Sequence, residues 1–113
     1  MSELVPFQKS YDFLVWMFNK TDGFPKSKRF SIGQRLENAL LDHISLVYRF
    51  KYSKNREKTL FVLSAKFDEI KLLLKICYDS RLIAKNSFAF AMKQCDEIGA
   101  LIGGLIKSLE RHR

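Results

Sequence analysis

Apolar residues recur at intervals of three and four along almost the whole chain, and that spacing constrains the fold more than any other feature. It is the period of a helix that buries one face. Four such stripes are separated by three short clusters of helix-breaking residues. The first carries Phe7, Tyr11, Leu14 and Phe18, starting near Pro6, a residue suited to an opening helical turn, and stops at Thr21-Asp22-Gly23. After Phe24-Pro25 the second carries Phe30, Gly33, Leu36, Leu40, Ile44 and Val47, with Ser27 or Ser31 available as a cap, and extends to about Tyr52. A helix of that length is a rod of roughly 35 Å. Beyond Ser53-Lys54-Asn55 the third, from about Arg56, reads Leu60, Leu63, Phe67, Ile70, Leu74 and Cys77. Ser80 to Lys85 breaks the pattern, and Asn86 or Ser87 can cap the last helix. The fourth stripe then reads Phe88, Ala91, Cys95, Ile98, Ile102, Leu105 and Leu109. Strict three-four alternation is the seam of a helix bundle. No segment sustains the period-two alternation of a half-buried strand, and the connections are short enough to make neighbouring helices antiparallel. The expectation is one all-α domain over residues 1–113, an antiparallel up-down four-helix bundle.

The chain of 113 residues is 47% hydrophobic and 28% charged, with only five Gly and two Pro, which excludes disordered and low-complexity classes. Apolar runs fall well short of the eighteen or so residues that span a bilayer, and the start, MSELVPFQKSYD, lacks a basic region ahead of a hydrophobic stretch. No export signal and no membrane anchor are expected. Two cysteines, Cys77 and Cys95, both fall on seams and read as small core hydrophobes. A reducing, cytoplasmic setting is favoured.

Charge is the unusual feature. Twenty Lys and Arg against twelve Asp and Glu leave a formal net charge of +8. Residues 20–58 hold ten of the bases and only four of the acids. The excess therefore lies on the second helix and its flanks: Lys26, Lys28, Arg29 and Arg35 at one end, Arg49, Lys51, Lys54, Arg56 and Lys58 at the other. Such clusters neutralise phosphates and release counterions, giving binding that weakens steeply with salt and reads little sequence. An acidic protein surface is the competing partner, and a merely solubilising surface the plainer reading. Tyr48, Phe50 and Tyr52 interleave with the second cluster. They could stack on bases, but aromatic residues near a helix end belong more often to the core.

Catalytic and metal-binding constellations are missing. A di-iron bundle needs carboxylates on facing helices and a Glu-x-x-His step; neither His43 nor His112 follows a glutamate in that way, and Asp68, Glu69, Asp96 and Glu97 sit beside the seams. His43, between Leu40 and Val47, reads as a hydrogen-bonded residue at the core edge rather than a general base. No Ser, Cys or Thr has a base and an orienting group in sequence reach, no arginine precedes a histidine at the spacing used by helical ribonucleases of the HEPN type, and no phosphate-binding Gly-rich loop is present. No enzyme activity, cofactor or metal is expected.

Gly99, Gly103 and Gly104 interrupt the last stripe, each at a cost of about 1 kcal/mol relative to Ala. Close approach of another backbone is the compensating gain, either within the bundle or from a neighbouring subunit.

The run Phe24-Pro25-Lys26-Ser27-Lys28-Arg29-Phe30, with Gly33, Arg35 and Leu36-Glu37, resembles the second-helix signature of the accessory variability determinant (Avd) family of diversity-generating retroelements. Asp96-Glu97-Ile98-Gly99 followed by Gly103-Gly104-Leu105-Ile106-Lys107-Ser108 is similar to that family's closing motif. Leu72-Leu73-Leu74-Lys75 with Asp79 and Leu82 matches its third helix in outline. The likeness runs from about Tyr11 to Ser108 and departs between Tyr52 and Leu60. It implies a basic four-helix bundle assembled as a barrel-like homopentamer. The family's role is non-catalytic: it binds the element's reverse transcriptase and template RNA or cDNA in support of mutagenic reverse transcription. Lys26, Arg29 and Arg35 match the second-helix motif, and Gly99, Gly103 and Gly104 the closing one. A related branch, four-helix-bundle proteins encoded in intervening sequences of ribosomal RNA genes, implies the alternative of a protein-protein or ribosomal RNA interaction module.

Overall fold

The computed structural model describes residues 4–111, with side chains from residue 7 onward; Pro6 as a side chain and His112 lie outside them. Four helices run through it: α1 (Leu4–Thr21), α2 (residues 26–50), α3 (Arg56–Asp79) and α4 (Lys85–Arg111). Short connections fold them up and down into a rod of 48 × 23 × 21 Å. Each helix packs against its two neighbours, and α1 closes the ring by packing on α4. This is the expected all-α four-helix bundle.

The seams of α3 and α4 are those of the sequence: Leu60, Leu63, Phe67, Ile70, Leu74 and Cys77 face Ala91, Cys95, Ile98 and Ile102, all buried. Leu36, Leu40, Val47 and Phe50 of α2 and Phe13, Leu14 and Met17 of α1 complete the core. Phe24 and Ile83, in the connections at the same end, are buried with it and plug that end of the rod.

The α1 stripe sits at a different phase from the one expected, and the α2 stripe departs at its first residue. On α1 the buried face is Ser10, Phe13, Leu14, Met17 and Thr21, whereas Tyr11 is exposed and Phe7 and Phe18 are half-buried. The true face includes two polar residues, which a hydrophobic pattern cannot register, and each has an interior partner on α2. Ser10 Oγ lies 2.8 Å from His43 Nε2, and the Thr21 hydroxyl donates to the Glu37 carboxylate. On α2, Phe30 is 65% exposed, because residues Arg29–Gly33 form a π-helical turn that shifts the stripe before Leu36.

Gly33 explains why that turn fits. A Cβ there would lie 3.1 Å from the Lys28 carbonyl oxygen and 3.2 Å from the Phe24 ring, so any side chain would push the backbone or the ring aside as the wide turn closes over Phe24.

Capping also differs. Ser27 and Ser31 do not cap α2: its N-cap position is Pro25, with no side-chain cap, and Ser31 Oγ instead donates to the Ser27 carbonyl at 2.9 Å. Helix α4 begins at Lys85, ahead of both Asn86 and Ser87, and α2 stops at Phe50 rather than Tyr52. The cap that does form is Asn55, whose Oδ1 accepts from the Lys58 N–H at 3.0 Å and starts α3.

Gly33→Val is expected to lower the unfolding free energy by about 1–3 kcal/mol through overpacking against backbone and ring. Chemical denaturation followed by circular dichroism measures it; an unchanged midpoint would show that the π turn does not depend on Gly33.

Candidate nucleic-acid interface

Helix α2 extends along much of the rod and carries a basic group at each end. At its start Lys26 and Lys28 are exposed, with no acidic residue in the first turn. Arg29 is half-buried, its guanidinium 5.4 Å from the Phe30 ring centre and its Nε without a hydrogen-bond partner. Arg35 stands apart from this group. Its Nη2 is 3.7 Å from Glu69 Oε2 across the α2–α3 groove, where Lys66 also meets Glu69 at 3.0 Å and Asp42 at 3.6 Å. Two cations there face two carboxylates, so the groove is locally neutral, and hydrogen bonding to Glu69 raises the Lys66 pKa. The up-down topology adds two cations that lie outside both charge clusters of the sequence, Arg81 and Lys85, which the α3–α4 connection brings to the same end of the rod. Arg81 takes φ 63°, a left-handed position where a helix end normally places Gly; Leu82 N–H closes the cap on the Cys77 carbonyl at 2.8 Å.

At the other end Arg49, Lys51, Lys54 and Lys58 are exposed. Arg56 is half-buried, its guanidinium stacked 4.3 Å from the centre of the buried Phe50 ring, so it anchors the turn between α2 and α3 as much as it offers charge. The aromatic residues divide. Phe50 belongs to the core as expected, but Tyr48 and Tyr52 are 58% and 68% exposed and stand on the surface beside Lys51 and Arg49. They flank the seam positions Val47 and Phe50 rather than occupying them. The two basic groups therefore lie at opposite ends of α2; the first holds one exposed ring, Phe30, and the second two, Tyr48 and Tyr52.

Among the described residues, no three His, Cys, Asp or Glu side chains come together to hold a metal ion. Asp68 and Asp96 are exposed, while Glu69 and Glu97 are half-buried and engaged, Glu97 by Lys9 at 2.9 Å, a hydrogen bond that lowers its pKa. An i,i+4 ion pair joins Lys75 to Asp79 at 3.0 Å. Burial pushes the Cys77 thiol up to about 11 and Cys95 to about 12, so both are unreactive core groups. His43 is fully buried against Phe67, deeper than the core edge, and burial lowers its pKa to about 4. Gly99 meets only the Phe67 ring, at 3.8 Å, and a Cβ on Gly103 or Gly104 would meet nothing within 4 Å. Close packing inside the bundle therefore accounts for neither Gly103 nor Gly104.

The sequence profile of the bAvd-like family matches residues 4–109. The chain belongs to the bAvd-like family. None of the curated proteins matches it. In fold, this bAvd-like protein is similar to a protein of unknown function from the S23 ribosomal protein family of Bacteroides thetaiotaomicron, with a TM-score of 0.85 at 15% identity, covering 95% of this chain and 99% of that one. Among the described residues of this bAvd-like chain, no helix is long and apolar enough to cross a membrane.

His43 gives the bundle a pH dependence of definite sign. Its folded pKa, about 4, lies below the ordinary value of 6.5, so the unfolded chain binds the proton first as pH falls. Stability is then full above about 6.5 and declines toward about 4, by at most about 1.4 kcal/mol per pH unit. Urea unfolding from neutral to acidic pH should show this slope in the natural protein and a shallower one in His43→Gln; identical slopes would assign the acid sensitivity elsewhere.

Proposed function

We propose that this protein is a non-catalytic accessory subunit of a diversity-generating retroelement, binding the element's reverse transcriptase and its template RNA or cDNA to support mutagenic reverse transcription. The observation that carries the reading is the pairing of bAvd-like membership with exposed basic groups at both ends of α2. The mechanism is electrostatic. Lys26, Lys28 and Arg29 at one end, with Arg35 set back beside Glu69, and Arg49, Lys51, Lys54, Arg56 and Lys58 at the other engage phosphates, concentrating nucleic acid beside the polymerase without reading sequence.

Self-assembly multiplies that effect, since each copy repeats the same weak patch. Two surface features support a homo-oligomer, a pentamer by family resemblance. Helix α3 leaves four large apolar side chains exposed, Phe61 and Val62 toward one end and Leu72 and Ile76 toward the other. The outward face of α4 is bare at Gly103 and Gly104, where a neighbouring subunit's side chains have room to seat. The shared fold with an S23 ribosomal family protein supports a second reading, an interaction module for ribosomal RNA or a protein surface. The cytoplasm is the setting in which either role is exercised.

Replacing Lys26, Lys28, Arg29 and Arg35 together by Gln is expected to weaken RNA binding and flatten its salt dependence by up to about four released counterions, measured by fluorescence anisotropy across a salt series. An unchanged slope would remove that end from the contact surface. Gly103→Leu is expected to split the oligomer in light scattering while leaving helicity and monomer stability intact or slightly raised, because the site is open within the bundle. A full-size assembly from the variant would place the subunit interface elsewhere.

A further inference from the structure

Four aromatic rings form a continuous row across the groove between α1 and α2, at the end of the rod where α2 finishes. Phe7 sits at its centre, half-buried, with ring centres 6.3 Å from Tyr11 and 5.6 Å from Tyr48; Tyr48 in turn lies 6.1 Å from Tyr52. Tyr11 is 49% exposed, and Tyr48 and Tyr52 are more so. The outer three side chains are thus exposed to water, Tyr11 and Tyr48 resting against Phe7 and Tyr52 against Tyr48.

Around the α2 half of this row the charge is positive. Arg49, Lys51 and Lys54 are exposed along it, and Lys51 Nζ is 5.7 Å from the Tyr52 ring centre. Asp12, the carboxylate beside Tyr11 on α1, is hydrogen-bonded by Gln8 at 2.9 Å. The carboxylates of Glu57 and Glu110, at the same end, line a different groove, with Phe61 and Ile106 between α3 and α4. Ring faces bordered by cations are what an unpaired nucleotide needs, the bases stacking and the phosphates meeting lysine and arginine. A duplex hides its base faces and offers only its backbone, for which the rings are useless.

We infer that the row Tyr11–Phe7–Tyr48–Tyr52, with Arg49, Lys51 and Lys54, is a stacking platform for unpaired nucleotides. The inference rests on the nucleic-acid reading of the protein and narrows its ligand to single-stranded RNA or cDNA. It also separates the two ends of α2. The Lys26 end, with no such row, holds backbone of either kind.

The test uses the full-length protein, a labelled single-stranded RNA of mixed sequence, and the blunt duplex made by annealing that RNA to its complement. Charge alone favours the duplex, whose phosphates are denser and whose salt slope per contact is steeper, about 0.9 against about 0.7. The platform reverses that order, so the single strand binds more tightly at physiological salt. Tyr48→Ala with Tyr52→Ala is expected to lose at least about tenfold in single-strand affinity, with duplex binding and both salt slopes unchanged. Tyr48→Phe with Tyr52→Phe, which keeps the rings, restores it. Because Tyr48 packs on Phe7, far-UV circular dichroism monitors each fold, and Tyr52→Ala alone, beyond the end of α2, repeats the test without touching that contact. Preference for the duplex, unchanged single-strand affinity in the alanine variants, or failure of the phenylalanine pair to restore it overturns the platform while leaving electrostatic binding standing. Absence of binding to either RNA overturns the nucleic-acid reading itself.

Discussion

Two interior hydrogen bonds set the register of α1 against α2, and most of the surface depends on them. Ser10 meets His43 midway along α2, and Thr21 meets Glu37 nearer the plugged end. Apolar faces slide past one another at little cost, but a polar group held in a dry core must keep its partner, so each bridge fixes one height and one rotation of α1. Slipping α1 by a turn would strand the Ser10 hydroxyl and the His43 imidazole in the core and pull Thr21 from the half-buried Glu37. Held in this register, α1 presents Phe7 and Tyr11 opposite Tyr48 and Tyr52, and the aromatic row exists.

A second local constraint acts at the opposite end. The bare Cα of Gly33 lets the π turn close over Phe24, and that turn rotates the first residues of α2 so that Phe30 faces outward beside Arg29 while Ile32 packs inward. The run from Pro25 to Phe30 is thereby a surface segment, anchored by the buried Phe24, with its cations and Phe30 in solvent or at its edge rather than in one more turn of a seam.

How much of this is legible in sequence depends on what sits inside. The seams of α3 and α4 are read directly, because every inward residue from Leu60 to Cys77 and from Ala91 to Ile102 is apolar or a thiol. The phase of α1 is not, because Ser10 and Thr21 are buried in place of hydrophobes and their partners are on another helix. The start of α2 is missed for a different reason, since a π turn adds a residue that no fixed period anticipates. Charge location is legible, as the basic residues stay in solvent wherever the backbone takes them. What they pair with is not: Arg35 is joined to Glu69, more than thirty residues away in sequence, and Arg56 lies flat on Phe50. Tyr48 and Tyr52 are the sharpest case: one position either side of the seam decides their exposure, and only the packed bundle shows which side they take.

The central claim is that this bundle holds nucleic acid through charge gathered at the ends of α2. The most direct measurement is the binding of a labelled RNA hairpin with a long unpaired loop by the unmodified protein, titrated by fluorescence anisotropy at a series of salt concentrations. The account predicts that log affinity falls linearly with log salt, with a slope worth several phosphate contacts at about 0.7–0.9 each, and that binding persists near physiological salt. An affinity that does not respond to salt, or no binding at the lowest salt used, would contradict it and leave the positive charge to a protein partner.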